Sequence, residues 1–321
     1  MIAGLTPCRT DRGTSHHQVY DLQQITRDDG CRKCFGIGGI VIELRGESQG
    51  VLINTELEQF QVKEQESDIG LDICWTEELM ARQSAPVFDS GATWRLFTEH
   101  GELVLEFTSP TTGTLPYKQM RVDQSFSRAE LALSRAALKN SPAMSALEYP
   151  VSELLVTNYL AYRGEGVEVH GCGIVDGENR GHILLGHSGA GKSTTARLWE
   201  KRGNVEILSD DRLILRQHGS ELWMYGTPWH GEAAFASPSR AKLESIFILQ
   251  HGIENRFVAL PQGRAIAETF ARCFVPFYSK TAVHGIVDFL SQILTFVPCY
   301  EFHFVPDVSA VEAVLEFAES R

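Results

Sequence analysis

Residues 186–193 have the sequence Gly186-His187-Ser188-Gly189-Ala190-Gly191-Lys192-Ser193 and match the pattern G-x-x-x-x-G-K-[ST] at every fixed position. An apolar run precedes them at 181–185, and a helical pattern follows over 191–202. Glycines let backbone N–H groups turn inward around phosphate oxygens, and the N-terminus of a helix adds positive charge. We therefore predict a phosphate-binding loop between a strand and a helix.

This loop implies a nucleotide with a divalent cation. Lys192 is placed to reach the β- and γ-phosphates, and the hydroxyl of Ser193 is placed to ligate Mg²⁺. The sequence has neither an N/T-K-x-D guanine motif nor an L-S-G-G signature, which favours ATP. We expect ATP to contact nine consecutive residues, namely Gly186, His187, Ser188, Gly189, Ala190, Gly191, Lys192, Ser193 and Thr194.

A second acidic element follows one helix later. The apolar run at 205–208 leads through Ser209 to Asp210 and Asp211. In a P-loop site, one such carboxylate holds Mg²⁺ and the other accepts the proton of an attacking hydroxyl. Two adjacent aspartates would repel a triphosphate without a cation, so we expect nucleotide binding to need Mg²⁺. Taken alone, the same residues would be an ordinary acidic turn.

The chain divides into two parts of different character. Its 321 residues suggest two domains at roughly 150 residues each. Short alternating runs up to about 131 predict antiparallel strands, and the alanine-rich stretch 127–146 predicts a helix. Gly36, Gly38 and Gly39 lack the rest of a dinucleotide fingerprint and are interpreted as turn residues between strands. We predict a mainly antiparallel, β-rich accessory domain over 1–145 that recognises the acceptor or a partner.

The second part, 146–321, alternates strands and helices and predicts an α/β domain with a mixed sheet. Pro150 suits a first helical turn, and Gly164 suits the end of that helix. Further strands are predicted at 166–175, 181–185, 205–208, 213–216, 222–225, 245–249 and 300–304, and further helices at 262–274, 280–296 and 309–319. Ser309 and Glu312 have the spacing of a capping box.

Composition excludes several classes of function. The net charge of −12 disfavours binding to a nucleic-acid backbone. No apolar run approaches the length of a membrane span, and the start has no signal-peptide pattern. Seven scattered cysteines favour a reduced, cytoplasmic compartment. Cys31 and Cys34 form a single C-x-x-C without a second ligand pair, so we interpret them as incidental thiols in a turn.

Residues 168–232 resemble the catalytic domain of the HPr kinase/phosphorylase family, whose P-loop fold is related to that of phosphoenolpyruvate carboxykinase. The matching pieces are His170-Gly171 one strand before the P-loop, the loop itself, and Asp210-Asp211-Arg212. The resemblance implies a catalytic set of Lys192, Asp210 as general base toward a serine hydroxyl, and His170 as an auxiliary group. It places Asp211 on the metal side.

The stretch Gly226-Thr-Pro-Trp229-His230-Gly231-Glu232 resembles a segment of HPr-kinase-like proteins that are often encoded with peptide-modification systems. Glu232 then joins Ser193 and Asp211 as a metal residue, although a Pro/Gly turn with a packed Trp is the alternative. Thr194 stands where the bifunctional enzymes carry an acidic residue, and their downstream glycine-rich signature is missing. These departures leave phosphorolysis unsupported.

The sequence thus predicts an ATP- and Mg²⁺-dependent kinase that phosphorylates a hydroxyl, in first place a serine of a protein or peptide. The alternatives are a small-molecule kinase and a nucleotide-dependent binding or assembly module. Candidate phosphate clamps are Arg212, Arg240, Arg256 and Arg264. The family forms ring oligomers, so the resemblance implies a homo-oligomer, and the aromatic stretch 270–277 is either its interface or part of the core.

Overall fold

The structure is a computed structural model that describes residues 32–46, 50–110, 112–138 and 143–320. It is a mixed α/β molecule with two large sheets. None of the helices in the described ranges is long and apolar enough to cross a bilayer. Cys31 lies outside the described residues, and Cys34 is buried within a strand rather than in a turn.

The first sheet has nine strands in the order β4-β1-β2-β5-β10-β9-β8-β7-β6. The strand pairs β2–β5 and β5–β10 are parallel, and the other pairs are antiparallel, as predicted. The strands are β1 (Lys33–Ile37), β2 (Ile40–Gly46), β4 (Gln61–Val62), β5 (Ile69–Thr76), β6 (Phe88–Asp89), β7 (Trp94–Glu99), β8 (Glu102–Phe107), β9 (Lys118–Val122) and β10 (Arg128–Ser134). A small pair, β3 (Val51–Leu52) and β11 (Met144–Ser145), and the short helix α1 (Thr55–Glu58) lie beside it.

The predicted helix over 127–146 is wrong. Residues 128–134 form β10, and a 3₁₀ turn follows at Arg135–Ala137. Ala129, Leu131 and Leu133 alternate toward the core, and the strand is hydrogen-bonded between β5 and β9. Pairing on both sides and burial with period two outweigh the helix propensity of alanine, which is a weak preference.

The second sheet follows the order β13-β12-β15-β16-β17-β19-β18, with β14 beside β12 and an extra parallel pairing of β13 with β17. Its pairings are mixed, as predicted. The strands are β12 (Gly166–Val175), β13 (Gly181–Leu185), β14 (Glu206–Ser209), β15 (Arg212–His218), β16 (Glu221–Tyr225), β17 (Arg240–His251), β18 (Arg256–Ala259) and β19 (Cys299–Phe304).

Five helices complete the second part: α2 (Val151–Arg163), α3 (Lys192–Arg202), α4 (Gln262–Phe270), α5 (Lys280–Ile293) and α6 (Val308–Glu319). Gly164 ends α2 in the left-handed conformation, as predicted. The capping box at Ser309 is wrong, because α6 begins two residues earlier than that cap requires. The side chain of Asp307 accepts the backbone N–H of Ser309 instead.

The helices place apolar layers on both faces of the second sheet. α3 and α6 cover one face through Trp199 and Val311, whereas α4 and α5 cover the other through Ala265 and Leu290. The first sheet shares its hydrophobic cluster with α2, in which residues 151–161 are buried. A helix buried on all sides is one that lies between layers.

The β1–β2 turn also touches the second sheet. Gly38 has a positive φ, and a Cβ there would lie 2.4 Å from Ile214. Arg216 Nη1 donates to the carbonyl oxygen of Gly39 at 2.9 Å. The turn between β1 and β2, which we interpreted only as a connection between strands, therefore also contacts the second sheet. The domain boundary at 145/146 remains a prediction.

Candidate functional site: a P-loop beside two aspartates

The loop at 186–191 lies between a strand and a helix, as its sequence predicts. β13 ends at Leu185, and α3 begins at Lys192. Gly189 and Gly191 have positive φ values of 81° and 98°. A Cβ on Gly191 would approach Phe304 to 2.6 Å, so that position requires glycine for both its conformation and its space.

The loop is hydrogen-bonded at its base and exposed to solvent at its tip. Ala190 N donates to His187 O at 3.1 Å, and Thr195 Oγ1 donates to Gly191 O at 2.9 Å. Three residues at the tip of the loop, His187, Ser188 and Gly189, are exposed to solvent, and so is Thr194 in the first turn of α3. The loop is thus rigid at its base and accessible where a phosphate would enter.

Lys192 bonds to its own loop. Its Nζ donates to Gly186 O at 3.0 Å and to His187 O at 3.1 Å, and the residue is only 6% exposed. Burial lowers the pKa of Lys192, while Asp211 acts in the opposite direction. The ammonium group therefore already lies inside the curve of the loop, where it would meet phosphate oxygens.

Asp210 is a buried, fully bonded carboxylate. It accepts the Ser193 hydroxyl at 3.2 Å and the backbone N–H of Gly231 at 3.0 Å. It also accepts the N–H groups of Ala233 at 2.9 Å and Phe235 at 3.3 Å, and it is 1% exposed. A Cβ on Gly231 would lie 2.7 Å from Asp210 Oδ2, so the loop approaches the carboxylate as closely as glycine permits.

Asp211 has a different environment, because it lies closer to the surface and pairs with His170. His170 Nε2 lies 2.9 Å from Asp211 Oδ1, and Arg212 Nε donates to Oδ2 at 3.1 Å. Burial raises the pKa of Asp211, but the hydrogen bonds from His170 and Arg212 outweigh it and bring the pKa to about 2. Asp211 is thus ionised at neutral pH and held by two partners.

The structure groups the predicted metal residues differently from the sequence. Ser193 is bonded to Asp210, whereas Asp211 is bonded to His170. The side chain of Glu232 is exposed. In the described part of the chain, no three acidic, histidine or cysteine side chains gather as a metal cluster. A cation here would therefore take one or two protein ligands and complete its shell with phosphate oxygens and water, which suits Mg²⁺.

Trp229 lies in the core, which agrees with the alternative interpretation of its segment. It is buried, and its Nε1 donates to Ser152 Oγ on α2 at 3.0 Å. Trp229 therefore anchors the loop in which the backbone N–H groups of Gly231 and Ala233 bind Asp210.

The arginines predicted as phosphate clamps are mostly engaged elsewhere. Arg240 lies over Trp223 and bonds to the hydroxyl of Tyr225, and Arg264 bonds to Glu301. Arg212 bonds to Glu153 and Asp211. Arg256 lines a cavity beside the P-loop, described next.

A cavity of about 560 Å³ adjoins the P-loop. His251 lies on its wall, with Nε2 3.4 Å from Gly189 O and its ring 5.3 Å from that of Phe304. The cavity is lined by His251, Gly252, Ile253, Glu254, Arg256 and His303. One residue of the cavity wall, His251, therefore contacts the exposed tip of the loop.

Sequence reasoning missed Arg272, Glu153 and Glu168. The backbone oxygen of Arg272 accepts the N–H of His170 at 2.7 Å, and its charge acts to lower the pKa of Lys192. Glu168 is fully buried on β12 and Glu153 is buried on α2. A glutamate inside an otherwise apolar run was the available signal for Glu168; Arg272 and Glu153 had none.

A hydrolase-like chain of Ser245, His182 and Asp176 lies in the second sheet. His182 Nδ1 is 2.9 Å from Ser245 Oγ, and its Nε2 is 3.1 Å from Asp176 Oδ2. All three residues are at most 4% exposed, so no substrate reaches the serine. We assign this chain to the core, where the hydrogen bonds satisfy buried polar groups.

Comparisons with known proteins do not assign this chain to a family. No family model matches the sequence, and no curated protein matches it. Among solved structures, the chain is similar to the Hpr(Ser) kinase/phosphatase from Coxiella burnetii, with 13% identity and a TM-score of 0.29. The alignment covers 47% of this chain and 95% of that one. A TM-score this low does not by itself establish a shared fold.

Proposed function

We propose that this protein is a phosphotransferase that uses Mg-ATP to phosphorylate a hydroxyl group, in first place a serine of a protein or peptide. The observation that carries the proposal is the juxtaposition of a P-loop with two aspartates in different environments. Ser193 and Asp210 form one pair, and Asp211 and His170 form the other. A binding module would need the first pair, but it would have no use for the second.

The loop residues fit a triphosphate. The loop has positive-φ glycines and an ammonium group already turned toward its own carbonyl oxygens. On binding, Lys192 exchanges these carbonyl oxygens for phosphate oxygens, which are charged and therefore stronger acceptors. The adjoining cavity has room for the nucleoside, with His251 and Arg256 on its walls.

Ser193 and Asp210 fit the role of the Mg²⁺ pair. A P-loop serine and an aspartate at the end of a neighbouring strand are the protein groups that hold this cation in P-loop enzymes. Mg²⁺ would supply charge neutralisation for the transferred phosphoryl group. The three backbone N–H groups on Asp210 hold its carboxylate in a fixed orientation.

Asp211 is a better candidate than Asp210 to bind the acceptor hydroxyl and accept its proton. This assignment differs from the one that the resemblance implies, in which Asp210 is the general base. Asp210 is buried and has four donors, whereas Asp211 is partly exposed beside His170. A carboxylate with a pKa of about 2 is a weak base. It therefore orients the hydroxyl and takes its proton late, as the new P–O bond acidifies it, so positioning dominates catalysis.

Labelled ATP tests this proposal directly. The full chain is incubated with γ-labelled ATP, Mg²⁺ and either a serine-peptide library or a metabolite mixture, alongside Lys192→Ala and the control Lys201→Ala. Lys201 lies exposed on the same helix. We expect label on peptides with the wild type and with Lys201→Ala, and loss of transfer with Lys192→Ala.

The other outcomes separate the alternatives. Label on metabolites alone supports a small-molecule kinase. ATP binding or slow hydrolysis without transfer to either pool overturns the transferase proposal and favours a binding or assembly module. Calorimetry with and without EDTA tests the cation, because ATP binding that needs no divalent metal contradicts the proposed roles of Ser193 and Asp210.

A homo-oligomer remains a prediction. In the aromatic stretch, Phe270 packs against the core of the second part, whereas Phe277 is 68% exposed. Light scattering would measure the oligomeric state.

A further inference from the structure

Behind Asp211, three carboxyl groups surround one guanidinium. Arg212 Nη1 bonds to Glu153 on α2 and lies 3.8 Å from Glu168 Oε1 on β12. Its Nε donates to Asp211 Oδ2 at 3.1 Å. One cation thus links a helix, a neighbouring strand and the aspartate that we assign to the acceptor hydroxyl.

The two glutamates cannot both be ionised without an unpaired oxygen. Glu153 and Glu168 both face the same nitrogen of Arg212, Glu153 through a hydrogen bond and Glu168 at 3.8 Å. Within the described residues, Glu153 Oε2 and Glu168 Oε1 have no donor, and an ionised carboxylate only accepts. A single proton between the two groups supplies that donor. Thr157 donates to the other oxygen of Glu168.

Burial supports the shared proton. It raises the pKa of Glu153 to about 7 and that of Glu168 well above its usual range. The other titratable groups that face this pair are Tyr149, Asp211, Arg212 and Cys273, and Arg212 is the one that carries positive charge. One guanidinium does not balance three carboxylates, so retaining a proton is the cheaper arrangement.

Arg212 has little freedom to move. Its Cζ lies 4.5 Å from the ring centre of Phe274 and 4.9 Å from that of Tyr149. Its backbone oxygen accepts the hydroxyl of Thr227 at 2.8 Å. A planar guanidinium held between two rings transmits its orientation to whatever its remaining donors bind, which here is Asp211.

We propose that Glu153 and Glu168 are positioning residues, which share one proton and hold Arg212 so that it fixes the carboxylate of Asp211. The proposal rests on the proposed function for the role of Asp211, but the linkage itself is a property of the folded chain. Glu168 is the proton-bearing member, and Glu153 is the partner of Arg212 that ionises as the pH rises above about 7.

The linkage is tested first without any activity. Urea unfolding of the full chain is measured for wild type, Glu153→Gln, Asp211→Asn and the double variant. We expect the effect of Glu153→Gln on the unfolding equilibrium constant to differ by about 5-fold or more between the two Asp211 backgrounds. Glu106→Gln, at a buried carboxylate in the first sheet, is the control and should have the same effect in both.

The second test is kinetic and uses the acceptor found with labelled ATP. We expect Glu153→Gln to lower kcat by about 10- to 100-fold with Mg-ATP affinity unchanged, and to have no further effect when Asp211→Asn is present. Glu168→Gln keeps a donor toward Glu153, so kcat should stay within about 3-fold of wild type. Glu168→Leu has no donor and should resemble Glu153→Gln.

The outcomes distinguish the two proposals. Coupled unfolding constants with no transfer to any acceptor would reject the phosphotransferase and retain the linkage. Independent effects of Glu153→Gln and Asp211→Asn on unfolding overturn the linkage whatever the activity. Equal kcat for Glu168→Leu and wild type overturns the shared proton.

Discussion

Each large sheet buries a glutamate completely, and the two glutamates are compensated in opposite ways. In the first sheet, Glu106 accepts the backbone N–H of Arg82 at 2.9 Å, Arg82 Nη1 at 3.1 Å and Gln119 Nε2 at 2.9 Å. Arg95 Nη2 lies 3.6 Å from its other oxygen. Two guanidinium groups therefore face one carboxylate.

In the second sheet, the ratio of guanidinium groups to carboxyl groups is reversed. Glu168 shares Arg212 with Glu153 and Asp211, so one guanidinium faces three carboxyl groups. Among the described residues, Glu106 Oε2 also lacks a hydrogen-bond donor, but two guanidinium groups balance its charge. A cluster with more carboxyl groups than cations favours retaining a proton and is typical of functional sites. The difference is a reason, independent of the P-loop, to place the proposed chemistry in the second sheet.

The largest expected effect comes from neutralising one acid in each sheet. Asp211→Asn should lower kcat by about 10³-fold or more while Mg-ATP affinity changes less than about 3-fold, because the acceptor hydroxyl loses its partner. Glu106→Gln should lower stability and leave kcat near wild type. Steady-state kinetics and calorimetry measure both. Normal turnover in Asp211→Asn, with loss in Asp210→Asn, would restore the base assignment drawn from the resemblance.

Removing an arginine from the first sheet tests compensation there. Arg82→Ala removes the guanidinium donor to Glu106 and both hydrogen bonds to Glu99, so we expect about 3–5 kcal/mol of destabilisation in urea unfolding. Lys242→Ala breaks an ion pair whose side chains are 50% and 46% exposed, so it should cost less than about 1 kcal/mol. Equal costs would show that burial of Glu106 matters little.

The smallest effect is a pH dependence of stability. Burial raises the pKa of Glu153 to about 7 from 4.5, so between these values the folded chain holds a proton that the unfolded chain releases. Stability from this group is therefore complete below about pH 4.5 and is lost as the pH rises through about 7. We expect wild type to lose about 1–2 kcal/mol more than Glu153→Gln between about pH 5 and pH 7.5, measured by urea unfolding, because the variant lacks the titrating carboxyl group. An equal loss in both proteins would contradict the role of Glu153.

The structural features that the sequence predicts best are those set by residues close together in the chain. The P-loop, its flanking strand and α3 follow from residue types at fixed spacing, and the structure has them at 181–202. The helix from Pro150 to Gly164 depends on local start and stop signals and was also predictable.

What depends on residues far apart in sequence was not predictable. The distinct environments of Asp210 and Asp211 arise from Gly231 and His170, which approach them from different elements. The Glu153–Glu168 contact requires α2 to lie across β12. Likewise β10 is a strand because β5 and β9 flank it, which no property of residues 128–134 reveals.

Helix α2 is hydrogen-bonded on both of its sides, toward the first sheet and toward the second. On the side of the first sheet, Tyr159 donates to Asp68 at 3.3 Å and Arg163 donates to Ser125 O at 2.6 Å. On the other, Glu153 and Thr157 hold the cluster around Arg212. A chain of direct contacts therefore runs from the first sheet through α2 and Arg212 to Asp211, and it does not pass through the P-loop.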